Sequence, residues 1–570
     1  MIKNKLKDLT NFLTGFIIIL ILMIFSYFSF IKIDLTEDKR FTLHESTIEL
    51  METLDDVVEF KIYLENEHLP ADLTRVRNSI LETLEELSDI SDGYVEYEFI
   101  DLYNTIEDPK TREQSILNLK RRQGLEIVPI PFRKENGELD RVYVPLGAEA
   151  FYKGRSIPVP FIRQAKGNKT NTYEKAIEEL EFEITNAIRK LKQDSMKTIA
   201  FLQGHGELGR FDVEDFSKSL YEYYQTGPAY IKNKEGKEQL NALNGIDLLI
   251  IAKPVQPFTQ KEQYIIDQFI MNGGKVLMML EGAQGAELDS MQTQGIVFAA
   301  PLETGLDAML HKYGVRLNKH IVEDLQCSKI PIQTTASGSG GRFQLYSWIY
   351  NPVLKSKNNH IINKNLDPVK VEFCSSFDTT SIEDIKFTTL YQTSGNNRYK
   401  KLPSRISFRE TANEKIISDN FKKGSKPVAL LLEGEFGSYF KNRIAPEFTA
   451  NKKIKFKDVS GKNKMIVIAD GDIGKNWFSQ RQEMIPLGTD QYSNVFYDNK
   501  KFLVNCANYL LGDEELISVR SKKIKMRLLD SKMVKEKKGF ITILNTALPI
   551  GIILLISFVF IIFRKVRFSK

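Results

Sequence analysis

Two long apolar segments, one near each end of the chain, place the strongest constraint on how this sequence can fold. Phe12 to Ile31 and Phe540 to Phe563 contain no charged residue. About twenty such residues are enough for a helix to cross a bilayer. The first segment is too long for the apolar core of a signal peptide, and no A-x-A-like cleavage site follows it. We therefore predict two membrane helices, with both termini on one side of the membrane.

Basic residues favour a cytoplasmic location for both termini. They precede the first segment and follow the second (Lys3, Lys5, Lys7; Arg564, Lys565, Arg567, Lys570). The stretch before the second segment, Lys522 to Lys538, is also basic, and by local charge it favours the opposite orientation. Because the first helix usually dominates, we favour a location outside the cytoplasm for the long intervening chain.

The composition excludes several classes of protein. Hydrophobic residues make up 42% of the chain, and 79 basic and 74 acidic residues give a net charge of +5. This near-balance argues against a dedicated nucleic-acid-binding protein. The three cysteines, Cys327, Cys374 and Cys506, lie far apart and form no CxxC motif, so they specify neither a disulfide framework nor a zinc site.

The segment after the first membrane helix predicts a thioredoxin-like βαβαββ domain. Val58 to Leu64 and Val95 to Phe99 alternate between apolar and polar residues, as half-buried strands do. Ser46 or Thr47 would cap a short helix before them. One face of the helix between the two strands carries five apolar residues at helical spacing (Leu73, Val76, Ile80, Leu84, Leu87). The turn after the first strand contains no cysteine, so this domain would be a scaffold without redox activity.

The following part of the chain predicts a doubly wound parallel sheet of the Rossmann or flavodoxin-like type. Short apolar runs typical of buried strands alternate with amphipathic helices (strands near 198–203, 246–252, 276–280, 428–432 and 465–469). Asp212 and Thr259 are the predicted N-caps of two of these helices. A last helix, about Lys500 to Leu511, would close the domain.

These patterns together predict an α/β protein flanked by two membrane helices. The predicted segments are an N-terminal membrane anchor (1–32), a thioredoxin-like domain without CxxC (33–170), a linker helix (171–195), a doubly wound α/β domain with a β-rich insertion near 333–425 (196–512), a basic charged stalk (513–539), and a C-terminal membrane helix with a basic tail (540–570).

One strand of the second domain runs into Gly204-His205-Gly206-Glu207. Ligands of open α/β sheets bind at the carboxyl edge, so His205 and Glu207 could form a catalytic pair or contribute to a metal site. However, the chain has no HExxH motif that would place two ligands on one helix face. The alternative is a turn in which the glycines supply positive φ angles and His205 hydrogen-bonds within the loop.

Asp470-Gly471-Asp472 follows the last predicted strand and begins like a calcium loop, but the twelfth position holds Arg481 instead of the required Glu. A turn at the same sheet edge is the alternative. We predict a recognition crevice that these two turns share, and we predict no catalytic, cofactor-binding or metal-binding residue. The crevice residues would be Gly204, His205, Gly206, Glu207, Asp470 and Asp472.

We predict no nucleotide chemistry in this chain, because it contains no P-loop GxxxxGK[ST]. It also contains no GxSxG motif that would support a hydrolase of the α/β type. The basic stalk could contact anionic lipid headgroups, or it could be a solvated helix face.

Several short motifs, taken in order, resemble the GldG family, the auxiliary, substrate-binding-like membrane subunit of the gliding-motility-associated ABC transporter. The matching motifs are Arg40-Phe41-Thr42-Leu43, Phe201 to Glu207, Ile266 to Lys275, Val467 to Asp472, Phe502 to Asn505, Asn508 to Leu511, and Ser518 to Lys522. The resemblance runs nearly end to end. It implies a two-pass protein of the cytoplasmic membrane, largely periplasmic, that works with a separate ATPase and permease. It implies no catalytic residue.

The leading hypothesis is therefore a non-catalytic subunit of an ABC transporter associated with gliding motility, which binds a substrate or a partner protein. Two alternatives remain. One is an envelope hydrolase that uses an acidic crevice around His205, and the other is a purely structural tether of the motility machinery. The transported substrate does not follow from the sequence.

Overall fold

A computed structural model describes most of the chain between the two apolar ends and the whole of the second apolar segment. The described residues are 14–17, 20–21, 23, 42–134, 137–162, 170–192, 196–232, 241–333, 343–356, 358–408, 411, 418–443, 456–479, 484–490, 492–493, 495–514, 517 and 537–568. Two compact units are distinguished. One comprises Met1–Thr42 and Lys523–Lys570, and the other comprises Leu43–Lys522.

The first unit contains the two predicted membrane segments. Most of the first segment lies outside the described residues, although 14–17 are helical. The second segment lies within a continuous helix, Lys538–Phe568. In the part of the chain that the structure describes, this is the one helix that is long and apolar enough to cross a membrane. Most of the predicted stalk, from residue 518 to 536, also lies outside the described residues.

Within the second unit, residues 43–192 form what we call the first region. Its strands are β1 (Val58–Ile62), β2 (Val95–Phe99), β3 (Ile127–Arg133), β4 (Leu139–Pro145), β5 (Gly147–Tyr152) and β6 (Arg155–Pro160). A four-stranded sheet has the order β2-β1-β5-β6, and β3 and β4 form a separate hairpin. β1 is parallel to β2 and antiparallel to β5. The strands predicted at Val58 and Val95 are confirmed, and the thioredoxin-like fold stays a prediction.

The helices of the first region are α1 (Glu45–Glu52), α2 (Ala71–Ile90), α3 (Leu102–Thr105), α4 (Pro109–Gln123) and α5 (Thr170–Lys192). The buried side chains of α2 are the five apolar residues predicted to share one face. They pack with α5 and the sheet in one apolar core. The predicted cap of α1 at Ser46 or Thr47 is wrong, because His44 is the N-cap and its Nδ1 accepts the N–H of Ser46 at 3.2 Å.

Residues 196–514 form the second region. Its strands are β7 (Thr198–Gln203), β8 (Gln225–Tyr230), β9 (Leu248–Ala252), β10 (Lys275–Met279), β11 (Ala283–Gln284), β12 (Ile296–Pro301), β13 (Val315–Leu317), β14 (His320–Asp324), β15 (Cys327–Gln333), β16 (Phe343–Leu354), β17 (Val369–Lys370), β18 (Phe377–Thr379), β19 (Ile385–Gln392), β20 (Asn397–Lys401), β21 (Ser404–Ser407), β22 (Pro427–Gly437), β23 (Val459–Ile468), β24 (Trp477–Phe478) and β25 (Met484–Ile485).

Seven of these strands form a mixed sheet in the order β19-β22-β23-β10-β9-β7-β8. The strands from β23 to β8 are parallel to one another. β22 is antiparallel to both β23 and β19, so the sheet is not parallel throughout. All five residues of β9 are buried, as expected for a strand covered on both faces. The other strands form small sheets beside this one, and the doubly wound fold stays a prediction.

The helices of the second region are α6 (Glu214–Tyr221), α7 (Gln260–Met271), α8 (Leu288–Gln294), α9 (Asp307–Lys312) and α10 (Asn499–Leu510). The predicted cap of α7 is confirmed, because Thr259 and Glu262 form a reciprocal capping box. The predicted cap of α6 at Asp212 is wrong. Val213 occupies the N-cap position, and Asp212 Oδ2 instead accepts the N–H of Gly209 at 2.9 Å.

Candidate functional site

The carboxyl ends of four neighbouring parallel strands bring charged and titratable side chains to one edge of the large sheet. Lys253 directly follows β9, and Glu281, Asp470 and His205 each come two residues after the end of β10, β23 and β7. Parallel strands end at a common edge, which is where open α/β sheets bind their ligands. The sheet topology therefore selects this edge as the candidate site.

Three of these residues and Asp472 form a buried group that we call the edge cluster (Lys253, Glu281, Asp470, Asp472). The Lys253 ammonium lies 2.6 Å from Asp472 Oδ2. The N–H of Gly471 donates to Glu281 Oε1 at 3.0 Å, and the N–H of Asp472 donates to Asp470 Oδ1 at 2.7 Å. The Lys253 ammonium thus pairs with Asp472 and interacts electrostatically with Glu281, and the 470–472 turn joins both carboxyl groups to Asp470.

Burial determines the protonation of the edge cluster. It raises the pKa of the Glu281 carboxyl well above its ordinary value, and the nearby charge of Asp470 raises it further. Burial likewise raises the pKa of Asp470, with a contribution from Asp472. For Lys253, burial lowers the pKa, but Asp472 and Glu281 outweigh this effect and raise it overall. The cluster therefore holds Lys253 as an ammonium ion, and Glu281 and Asp470 retain their protons to unusually high pH.

The backbone around Lys253 is also unusual. Lys253 has a φ of +53°, in the left-handed region that few non-glycine residues adopt. A Cβ atom on Gly471 would lie 2.6 Å from Lys253 Cγ and 3.0 Å from Glu281 Cγ, so only glycine lets the 470–472 turn approach so closely. Backbone strain of this kind is concentrated at functional sites.

A small cavity adjoins the edge cluster. Its volume is about 30 Å³, which is room for about two water molecules. The lining residues are Lys370, Glu372, Asp470, Asp472, Ile473, Lys475, Trp477, Leu487, Gly488, Thr489 and Asn499. Asp472 Oδ1 and Thr489 Oγ1 are buried without a hydrogen-bond partner among the described residues. The cavity can hold water or a small polar group, but it is too small for a nucleotide or a sugar.

His205 is fully buried in a second, closed group of side chains beside the edge cluster. Its Nδ1 lies 3.3 Å from Glu207 Oε1, and its Nε2 lies 3.3 Å from Glu262 Oε2. The ring stacks on Phe258 with a centroid separation of 3.8 Å. The carbonyl of His205 accepts the N–H groups of the loop after β9, at residues 255 and 256. This arrangement ties the turn after β7 to the start of α7.

The glycines of this turn confirm the predicted role of positive φ angles. Gly204 and Gly206 have φ values of +123° and +74°. A Cβ atom on Gly206 would lie 2.4 Å from Val255 Cγ2, so a side chain does not fit there. Together with the hydrogen bonds of His205, this geometry matches the turn that the sequence offered as the alternative to a catalytic pair.

Gly204, Gly206 and Gly209 also have the G-x-G-x-x-G spacing of dinucleotide-binding loops, directly after β7. The prediction of no nucleotide chemistry did not take this spacing into account. In such a loop, backbone N–H groups and the N-terminus of the next helix bind the pyrophosphate. Whether this loop could bind a pyrophosphate therefore depends on the partners of its N–H groups and on where the next helix begins.

Three backbone N–H groups of this loop donate to acceptors within the protein. The N–H of His205 donates to Glu207 Oε2 at 2.6 Å, and the N–H of Leu208 donates to the carbonyl of Ala252 at 2.9 Å. The N–H of Gly209 is bonded to Asp212, as described above. The next helix, α6, starts only at Glu214 and has two acidic residues in its first turn. An anion would meet negative charge there, so the spacing does not form a pyrophosphate site.

The six residues of the predicted crevice thus fall into two environments. Asp470 and Asp472 line the cavity, whereas none of Gly204 to Glu207 does. His205 has no exposed side-chain surface. The shared crevice stays a prediction. In the part of the chain that the structure describes, no three His, Cys, Asp or Glu side chains are placed to hold a metal ion.

Sequence reasoning missed Lys253, Glu281 and Glu262 as members of these two groups. A usable signal was present, because Lys253 and Glu281 each follow a buried strand by one or two residues. Charged residues at such positions of adjacent parallel strands are brought to the same edge. The predicted cap at Thr259 did not single out Glu262, which completes the capping box and contacts His205.

The raised pKa of Glu281 predicts a pH-dependent stability. A carboxyl group that keeps its proton in the folded protein but loses it when unfolded contributes stability that is lost as pH rises from its unfolded pKa to its folded pKa. Glu281→Gln removes this loss. We expect its free energy of unfolding to exceed that of the wild type increasingly as the pH rises above the ordinary pKa of a glutamate, by up to about 1.4 kcal/mol per pH unit.

Denaturant unfolding at a series of pH values measures this difference. Glu287→Gln is the matched control, since Glu287 lies 3.6 Å from Lys253 but its side chain is half exposed. A difference that is constant over the whole pH range would show that Glu281 is ionised in the folded protein.

Comparison with known proteins supports an assignment to a transport system. A family model described as an ABC-type uncharacterized transport system matches residues 196–506, just over half of the chain. The match covers the large sheet and both groups of buried side chains. A second model, described as a domain of unknown function, matches residues 37–149.

Among individual proteins, an uncharacterized protein of Borreliella burgdorferi is 21% identical over 586 residues, which cover 100% of this chain and 99% of that protein. Two solved structures are more distant. The mmIFT52 N-terminal domain has 15% identity and a TM-score of 0.31, covering 55% of this chain and 97% of its own. A ThuA-like protein from Parabacteroides merdae has 8% identity and a TM-score of 0.27, covering 59% and 94%. The alignment with the Borreliella protein thus includes both apolar ends of this chain.

Proposed function

This chain belongs to the family described as an ABC-type uncharacterized transport system, and we propose that it serves such a system as a non-catalytic subunit beside a separate ATPase and permease. The observation that carries the proposal is the family match over 196–506. The sequence supports it, because the chain has no P-loop and nucleotide hydrolysis would have to come from a partner.

We further propose that the subunit is anchored in the cytoplasmic membrane by both apolar ends, with the bulk of the chain in the periplasm. The helix Lys538–Phe568 supports the C-terminal anchor, and the uncharged stretch from Phe12 to Ile31 supports the N-terminal one. The basic residues at both termini favour this orientation. The resemblance to GldG supports a system associated with gliding motility.

Recognition of a substrate or partner protein would take place at the carboxyl edge of the large sheet. Two exposed aromatic side chains there favour a protein partner over a small molecule. Phe211 is 70% exposed and Phe478 is 39% exposed. The segments that carry them are joined by a hydrogen bond, because the Nδ2–H of Asn476 donates to the carbonyl of Phe211 at 2.6 Å. Exposed aromatic residues beside a charged group are typical of protein interfaces, whereas the cavity itself is very small.

The envelope hydrolase is the less favoured alternative. A general base must reach the proton that it abstracts, but His205 has no exposed side-chain surface and its ring nitrogens face Glu207 and Glu262. A purely structural tether differs from an ABC subunit in requiring no ATPase. Partner identification therefore separates the two.

We expect the full-length chain, tagged at its native locus and extracted in mild detergent, to recover an ABC-type ATPase and a permease. Quantitative mass spectrometry against an equally tagged, unrelated membrane protein measures the enrichment. Recovery of motility or envelope proteins without either transporter subunit would favour the tether and contradict the proposal.

A further inference from the structure

Helix α5 belongs to the first region, yet it also contacts the second. Ile184, Ile188 and Leu191 are buried in the apolar core of the first region. Phe182 instead joins the core of the second region and meets the ring of Tyr223 edge-on, at 6.5 Å between centroids. Any change in how the two regions meet must therefore involve α5.

The last turns of α5 reach a buried ionic group that we call the Asp513 cluster (Arg189, Lys197, Tyr224, Asp513). Arg189 Nη1 lies 3.1 Å from Asp513 Oδ1. Lys197 Nζ lies 3.2 Å from both oxygens of the same carboxylate, and the Tyr224 hydroxyl donates to Asp513 Oδ2 at 2.8 Å. Asp513 thus joins α5, the residue before β7 and the segment between α6 and β8.

The position of Asp513 is fixed by the end of α10. Gly512 adopts a φ of +78°, as residues that terminate helices do, and the N–H of Asp513 donates to the carbonyl of Asn508 at 2.8 Å. The Lys197 ammonium also donates to the carbonyl of Leu511 at 2.6 Å. In sequence, this point lies just before the segment that leads to the C-terminal apolar helix.

Arg189 depends on Asp513 more than an ordinary surface arginine would. Only 9% of its side chain is exposed. Its Nε and Nη2 have no hydrogen-bond partner among the described residues, so Nη1 and Asp513 carry the interaction. Burial and the charge of Asp513 raise the pKa of Tyr224 well above its usual value, so its hydroxyl remains a donor. A buried guanidinium group with a single carboxylate partner is strongly destabilised when that partner moves away, because its charge is left unpaired.

We propose that the Asp513 cluster is a latch that fixes the first region against the second, placed where the chain leaves for the C-terminal apolar helix. Displacement of the chain at Asp513 removes the shared acceptor of Arg189 and Lys197 together. The first region then still contacts the second through Phe182 and through the Lys190 ammonium, which lies 4.8 Å from the centroid of the Tyr223 ring. The latch does not depend on the proposed transport role, and its test uses no partner protein.

The test measures the distance between the two regions in the full-length protein in detergent. Nitroxide labels at Glu85→Cys in α2 and Gln260→Cys in α7, both exposed positions, are placed in a Cys327→Ser background, since the other two cysteines are buried. Double electron–electron resonance then gives the distribution of label distances. We expect Asp513→Asn to broaden this distribution at least twofold.

Asp419→Asn is the matched control, because Asp419 forms an exposed pair with Lys422 in the same region. It should leave the distribution unchanged. An unchanged distribution in folded Asp513→Asn would overturn the latch. If that variant does not fold, Lys197→Met and Tyr224→Phe replace it, and each should broaden the distribution to a smaller extent. Label-distance distributions as narrow as that of the wild type in both of these variants would also overturn the proposal.

Discussion

Replacing Lys253 with methionine is expected to lower the free energy of unfolding of the second region by about 3–5 kcal/mol, the usual cost of removing one partner of a buried ion pair. Methionine keeps the length of the side chain but leaves Asp472 without the ammonium group that lies 2.6 Å away. Glu281 would lose the same nearby positive charge. Denaturant unfolding followed by tryptophan fluorescence measures the change, and Trp477 lines the adjoining cavity.

Lys422→Met is the control for this experiment. Lys422 pairs with Asp419 on the surface of the second region, and both side chains are more than half exposed. Such a pair is worth less than about 1 kcal/mol. Equal losses in the two variants would mean that the edge cluster is as solvated as the surface, and the assignment of a buried charged site would fail.

Replacing His205 with leucine is the second large change, with an expected loss of about 2–3 kcal/mol. Both carboxylates keep other donors, because Glu207 accepts the N–H of residue 205 and Glu262 accepts that of Thr259. The loss is therefore smaller than for Lys253. It comes from the lost contacts of the ring with the two carboxylates and from the stacking on Phe258, which adds about 0.5–1.5 kcal/mol.

The exposed His311 of α9 provides the control, since His311→Leu leaves both carboxylates untouched. Thermal unfolding of the two variants should differ by several degrees. Full stability of the His205→Leu protein, or an activity lost without any loss of stability, would reopen the catalytic interpretation of this turn.

Much of the local structure could be predicted because it depends on residues close in sequence. The apolar face of α2 follows from spacings of three and four residues, and the N-cap at Thr259 from the residue type that precedes the helix. The caps at Ser46 and Asp212 were wrong because a competing partner, His44 in one case and Gly209 in the other, lay just outside the pattern considered. The antiparallel course of β22 depends on pairing between distant segments, which periodicity does not encode.

Only some residues of the candidate site could be predicted from the sequence, for a related reason. Asp470 and Asp472 stand out in a short turn, whereas the local signal of Lys253, one of 79 basic residues, is limited to its position after a buried strand. Its role depends on the parallel pairing of β9 with β10 and of β10 with β23. The flanking glycines draw attention to His205, but its second partner, Glu262, is 57 residues further along the chain.

ATP hydrolysis by the assembly that this chain recovers, compared with hydrolysis by the purified chain alone, tests the central claim most directly. The chain has no P-loop of its own. We expect the assembly to hydrolyse ATP, the activity to disappear when the P-loop lysine of the recovered ATPase is replaced, and the chain alone to show none. ATP turnover by the isolated chain, or an assembly that contains no ATPase, would contradict the assignment as a non-catalytic subunit of an ABC transport system.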